Sequence, residues 1–314
     1  MNQSEYIDIG DNVFLHIRDW GKGHTIVFIP GWPFGHEMFE YQFTQLPQRG
    51  YRCIGISMRG FGKSSQPWGE YTYDIFADDL LSVLQALDLN NVTLAGFSMG
   101  GAIALHYMAR HKGDRVDNLV LCSAAAPCFT SRAGFPFGLE PGVVDSLIKS
   151  CQSDRAKLNA DFGTSLFRDS TAVTPPLLSW LQTLGMEASP HATAAALVTL
   201  RDSDLRNDLQ SVQVPTVLFH GLHDRICPFE LAKTMTAPTE AMPAGGEAMA
   251  VGIEAISAGE EPTAGGISGA TLICFENSGH ALFYEEKDKF NDELTNFIEH
   301  KSSLGLKYFG TSTR

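Results

Sequence analysis

The chain begins with two runs in which apolar and polar residues alternate, YIDIG and VFLHIRDWG, separated at Gly10, Asp11 and Asn12. Alternation marks strands with one wet face, and the turn residues between the runs predict an antiparallel hairpin. The pattern then changes. HTIVFIP, YRCIGISM, VTLAGF, DNLVLCSA, VPTVLFHG and ATLICFEN are continuous apolar runs of the kind that strands covered on both faces require. Between them, apolar positions recur at helical spacing over 37–48, 73–89, 99–111, 229–235 and 287–300. Strands alternating with helices predict a mostly parallel, eight-stranded α/β sheet flanked by helices and joined by right-handed crossovers.

Two stretches interrupt the alternation. Residues 127–212 separate two strands, carry helical patterns and hold apolar aromatics (Phe129, Phe135, Phe137, Phe162, Phe167, Trp180). That is too long for a crossover and predicts a helical cap over one edge of the sheet. Residues 236–269 are dominated by Ala, Gly and Glu, contain no aromatic residue, and belong to a span without Lys or Arg from Lys233 to Lys287. Glu240, Glu247, Glu254 and Glu261 recur every seven residues, yet prolines and glycines interrupt each repeat, so a coiled coil is not expected. The expected division is a core of 1–126 and 213–304, a cap of 127–212, an insertion of 236–269 within the core, and a tail of 305–314. A helix after a parallel strand runs back along it, which places the root of the insertion at the amino-terminal edge of the sheet.

Composition narrows the function. A formal net charge of -13 and the lack of any Lys/Arg-rich run argue against nucleic acid and anionic membranes as partners. No apolar stretch is long enough to span a bilayer, and MNQSEYIDIG has neither the basic nor the apolar segment of a secretory signal, so a cytoplasmic protein is expected. The six cysteines (Cys53, Cys122, Cys128, Cys151, Cys227, Cys274) form no CxxC pair and are expected as reduced thiols.

The chemistry centres on Gly96-Phe97-Ser98-Met99-Gly100, a G-x-S-x-G sequence that follows an apolar strand and opens a helix. In such a turn the serine is strained, and glycines on either side remove collisions between strand and helix. Ser98 would stand exposed above the sheet at the positive end of a helix. A serine hydroxyl is a weak nucleophile and needs a base, which needs an orienting acid. Asp224 follows the apolar strand in FHGLHDRICP, and His280 follows the last one in CFENSGHALFYEE, in the chain order that this motif takes. Both fall at carboxyl ends of parallel strands, where open α/β sheets assemble their sites. His106 and His111 lie on the helix after Ser98 and His220 lies inside a strand, which suits structural roles; Asp202, Asp204 and Asp208 fall in the connection from cap to strand. His220, His223 and Asp224 lack a third nearby histidine, so neither a metal nor any other cofactor is expected. Backbone donors for an oxyanion are expected at Met99, after the nucleophile, and at Trp32 in Gly31-Trp32-Pro33, where Pro33 restricts the preceding backbone.

Together PGWPFGHEMF, SMRGFGKSS, GFSMGG, GLHDRICP and ENSGHALFYEE resemble the α/β-hydrolase superfamily, and more narrowly its small esterases, cofactor-free haloperoxidases and perhydrolases. The resemblance covers the chain except 236–269 and the residues after Leu304. It implies the α/β-hydrolase fold with a helical cap, Ser98 as nucleophile, Asp224 as acid, His280 as base, and Trp32 and Met99 as oxyanion donors. It implies a small-molecule carboxylic ester as substrate, cleaved through an acyl-enzyme, with Phe97, Phe135 and Phe137 as candidate pocket residues. A proline directly after the donor residue, here Pro33, goes in that branch with hydrogen peroxide as an alternative acyl acceptor. A carbon–carbon bond hydrolase or a lactonase would use the same triad, and a ligand receptor on the same scaffold is the non-enzymatic alternative. Two positions depart from the family's pattern: Pro30 stands where the oxyanion loop usually has histidine, and Ser57 where SMRGFGKS usually opens with aspartate. Arg59 is expected as a structural anchor.

Overall fold

The computed structural model describes residues 5–236 and 265–308. Among these, eight strands form one sheet: β1 (Tyr6–Asp8), β2 (Phe14–Gly21), β3 (His24–Ile29), β4 (Tyr51–Ile56), β5 (Val92–Phe97), β6 (Val116–Cys122), β7 (Thr216–Gly221) and β8 (Thr271–Phe275). Their spatial order is β1-β2-β4-β3-β5-β6-β7-β8. The alternating runs supply the antiparallel pairs β1/β2 and β2/β4, and every pair from β4/β3 to β7/β8 is parallel. Polarity explains the division. All positions of β5 and β7 are buried, so these strands sit where helices cover both faces, whereas β2 is exposed at Phe14, Trp20 and Gly21.

The helices are α1 (Glu40–Gln45), α2 (Tyr73–Ala86), α3 (Met99–Arg110), α4 (Pro141–Ser153), α5 (Arg155–Ser165), α6 (Pro175–Met186), α7 (Pro190–Asp202), α8 (Phe229–Met235), α9 (Leu282–Glu285) and α10 (Lys287–Tyr308). Their starts are written in the sequence. Thr72, Thr174 and Ser189 each accept a backbone N–H of the following turn, at α2, α6 and α7, and the last two precede a proline in the first turn. The helix expected over 37–48 is broken into a 3-10 turn (His36–Phe39), α1 and a second 3-10 turn (Pro47–Arg49), because Pro47 cannot continue an α-helical ladder. The last helix runs past His300 into the residues expected as tail. No proline falls within it, and its one glycine, Gly305, costs a helix only about 1 kcal/mol.

Between β6 and β7 the chain forms α4 to α7 and a 3-10 turn (Arg206–Ser211), helical elements in the span where helical patterns were expected. Among the described residues no helix is long and apolar enough to cross a membrane.

Most of the Ala/Gly/Glu-rich insertion, residues 237–264, lies outside the described residues. Its two roots do not. Thr236 and Ile267 form a parallel bridge just before β8, the Ile267 N–H donates to the Met235 carbonyl at 2.8 Å, and Ile267 is fully buried. The anchored chain therefore extends into the span read as insertion, and an excision that took Ile267 would remove a core side chain. Replacing 237–264 by a short Gly-Ser turn is expected to leave kcat on a simple ester within about threefold, since the ends are already joined. A steady-state assay of the shortened protein checks this, and a collapse of activity in a folded product would refute it.

Candidate active site

Ser98 occupies the single residue between β5 and α3, at φ 55 and ψ -119. A residue with a side chain reaches such angles only when its surroundings over-determine it. Here they do. The Ser98 N–H donates to the Cys122 carbonyl at 2.9 Å, and the Ser98 carbonyl accepts from Gly101, Ala102 and Ala125 at 2.9, 3.2 and 3.0 Å. The flanking glycines answer to contact. A Cβ on Gly96 would stand 2.3 Å from the Gly100 carbonyl oxygen, and one on Gly100 2.3 Å from that of Ile29.

Asp224 follows β7. Its Oδ1 accepts the N–H groups of Ile226 and Cys227, each at 2.9 Å, and its Oδ2 lies 2.7 Å from His280 Nδ1, with both side chains fully buried. Burial pushes this carboxyl up, but the charge and hydrogen bond of His280, the nearby His220 and the Cys227 N–H outweigh it and hold Asp224 below the usual carboxylate range. An ionised Asp224 fixes the proton of His280 on Nδ1 and leaves Nε2 as the basic nitrogen. That nitrogen is buried and has no hydrogen-bond partner among the described residues. Burial and the Asp224 charge drive the nearby Cys227 thiol well above its ordinary value. Catalysis through this set needs Ser98 Oγ within hydrogen-bond reach of His280 Nε2.

The loop after β3 lies directly over the serine. A Cβ on Gly31 would stand 2.8 Å from Ser98 Cβ. Among the described residues neither the Trp32 N–H nor the Met99 N–H donates to a protein acceptor, which leaves both open to a ligand oxygen; Met99 is the first residue of α3, where such free N–H groups are the rule. The Trp32–Pro33 peptide is cis. The Trp32 indole is tied to the cap: its Nε1 donates to the Thr193 carbonyl of α7 at 2.9 Å, and its ring meets Phe162 of α5 edge-on at 4.9 Å. Phe97 packs against His280 and Phe283, with centroids 4.7 and 4.9 Å apart. Phe135 and Phe137 meet each other edge-on at 5.3 Å, while Phe162 lies against Trp32 and Phe34 of the loop after β3 and Phe97 lies against its Gly31. Which cap face meets this loop is set by helix packing, and helical periodicity alone does not encode it.

The loop bearing His280 is held by residues that pattern reasoning missed. Glu285 accepts the N–H groups of Arg168 and Gly279 at 2.8 and 2.7 Å, and one oxygen of Glu286 accepts the Asn277 N–H at 2.9 Å and the Ser278 hydroxyl at 2.7 Å. Burial pushes the Glu285 carboxyl up, more than these N–H bonds pull it down. The available signal was the acidic pair that ends ENSGHALFYEE. Glu286→Ala removes two hydrogen bonds worth roughly 1 kcal/mol each, so kcat is expected to fall about tenfold with KM little changed. Parallel kinetics and melting curves check this; an unaltered kcat in a destabilised protein would make Glu286 purely structural.

The remaining candidates have structural partners. His106 bridges Asp74 and Asp208 at 2.6 and 2.8 Å, and His111 lies 2.9 Å from Asp78. The His220 Nε2–H donates to the Cys227 carbonyl at 2.8 Å. Asp202 and Asp204 pair with Arg201 and Arg206. Arg59 forms a two-pronged ion pair with buried Asp79, the anchoring role expected of it. The six cysteines are unpaired.

Residues 24–234 match the family model described as the alpha/beta hydrolase fold. The chain is 43% identical to the AB hydrolase superfamily protein YisY of Bacillus subtilis (strain 168), across 93% of this chain and 98% of that one. It is 29% identical to the bifunctional esterase/perhydrolase DCH of Acinetobacter calcoaceticus, across 74% of this chain and 86% of the relative. Among solved structures it is similar to an esterase from Exiguobacterium antarcticum, with a TM-score of 0.82 and 38% identity over 94% of this chain and 98% of that one.

Proposed function

This chain belongs to the α/β-hydrolase family, and we propose that it cleaves small to medium carboxylic esters through an acyl-enzyme on Ser98. The observation that carries the proposal is the fully buried Asp224–His280 pair, 2.7 Å apart, set at the carboxyl edge of the same sheet as a serine held at an over-determined turn. In the first half-reaction Ser98 Oγ attacks the ester carbonyl while His280 Nε2 takes its proton, and the oxyanion is met by the Trp32 and Met99 N–H groups. His280 then returns the proton to the departing alcohol. In the second half-reaction water attacks the acyl group, His280 accepts its proton, and the acid leaves as Ser98 is reprotonated. The apolar surroundings, with Phe97 beside His280 and Phe162 and Phe34 at the oxyanion loop, suit an apolar acyl chain over a charged one. Hydrolysis of p-nitrophenyl esters of graded acyl length is the direct test. Turnover that favours the shorter chains supports the proposal, and no turnover of any of them would overturn it.

A second activity is supported by Pro33 directly after Trp32, and by the similarity to a protein named as a bifunctional esterase/perhydrolase. Hydrogen peroxide replacing water in the second half-reaction releases a peroxyacid in place of the acid, with the same proton transfers through His280. Incubation with acetate and peroxide is expected to yield peracetic acid more slowly than ester hydrolysis proceeds. No peracid, under conditions where hydrolysis is fast, would remove this activity.

A further inference from the structure

Behind the oxyanion loop is a group of side chains that the proposed reaction does not use. His16 lies on β2, and His36 and Glu37 open the 3-10 turn that follows Phe34 and Gly35. One donor atom from each of the three falls within 4.8 Å of the other two. His16 is 4% and His36 0% exposed, and the Glu37 side chain reaches solvent at only 12%. The imidazole rings are 4.8 Å apart, and His16 Nδ1 lies 3.5 Å from Glu37 Oε1. His36 Nδ1 faces the Ser57 hydroxyl at 2.9 Å. Despite this crowding, His16 Nδ1, His36 Nε2 and both oxygens of Glu37 have no hydrogen-bond partner among the described residues, nor has a buried oxygen of Glu187.

Buried nitrogens and carboxylate oxygens without partners are costly, at about 1–3 kcal/mol for each neutral group and more for a charged one. Two imidazoles and a carboxylate converging from two elements are the donor set of a borderline divalent metal. We propose that His16, His36 and Glu37 form a binding site for a divalent transition-metal ion of the zinc class, separate from the triad. Metal–ligand bonds of about 2.0–2.2 Å at tetrahedral angles put ligand atoms roughly 3.3 Å apart, so the three side chains draw in by about an ångström or more. Three protein ligands leave a position for water. Ser57, one of the two residues that depart from the family's pattern, keeps His36 in place through its hydroxyl. The site joins β2 to the turn that continues the oxyanion loop, where the Phe34 N–H donates to the Gly31 carbonyl at 2.9 Å. A bound ion would brace that loop, whether or not Ser98 acts on esters.

The test uses the full-length protein freed of metal by a chelator and titrated with zinc, and separately with cobalt. Binding of one equivalent with a dissociation constant of about 1 µM or below is expected, with a visible cobalt spectrum of low coordination number and a rise in melting temperature at saturating zinc. Glu37→Gln and His16→Asn are each expected to weaken zinc binding more than about tenfold while His280→Gln leaves it unchanged. The two variants stand on different elements, so one remains informative if the other does not fold, and the cobalt spectrum needs neither. Absence of stoichiometric binding would overturn the proposal and leave His16 and Glu37 as an internal ion pair. So would binding that His280→Gln abolishes, which would put the ion at the triad.

Discussion

Ser98→Ala is expected to abolish covalent labelling by a fluorophosphonate and to lower ester hydrolysis by about 10⁴-fold or more, because members of a triad act as a unit. The fold should survive. The bonds that hold this turn run from the backbone of residue 98 to Cys122, Gly101, Ala102 and Ala125, and all are available to alanine. No side-chain hydrogen bond of Ser98 holds the turn among the described residues, so stability should change by no more than about 1 kcal/mol. The measurement is paired: label incorporation and kcat on a p-nitrophenyl ester, with a melting curve as control. Labelling that persists in a folded variant would move the nucleophile elsewhere.

Asp224→Asn is expected to lower kcat by about 10³–10⁴-fold with little loss of structure. The geometry forces the outcome. Oδ1 accepts two backbone N–H groups, so an asparagine must place its carbonyl oxygen there and present its NH₂ to His280 Nδ1. That nitrogen must then accept, which moves the imidazole proton to Nε2, the side that should receive the serine proton. The base is disabled by a change of tautomer, with no side chain displaced. Kinetics beside a near-ultraviolet spectrum would check this; an unchanged rate would shift the orienting role to another carboxylate.

Much of this architecture was legible because the strands speak in two dialects. VTLAGF maps onto β5 (Val92–Phe97) and VPTVLFHG contains β7 (Thr216–Gly221), since continuous apolar runs are tolerated only under double cover. The turn at Ser98 was legible for a different reason: glycines on both sides of a serine are a costly choice unless backbone is passing close by. What stayed hidden depends on contacts between distant segments. That Phe162 meets Trp32 is decided by how α5 seats on the core, and Glu286 bonds residues nine and eight positions before it across a turn. Glu37 opens the span expected as helix, and only the fold brings His16 to it from β2. Ile267 is the same lesson in miniature, an apolar residue in a Gly-rich stretch whose burial comes from its bridge to Thr236.

The tie between the Trp32 indole and the Thr193 carbonyl has a consequence for selectivity. In the proposed reaction one oxyanion donor would belong to a residue whose side chain is fastened to α7, so that helix would set the aim of the donor. An acyl chain bulky enough to lift α7 would then loosen the grip on the transition state at the moment it gains apolar contact in the ground state. Poor substrates of this kind would bind well and turn over badly, with kcat and KM falling together. Fit against α7 would then be read out in the chemical step.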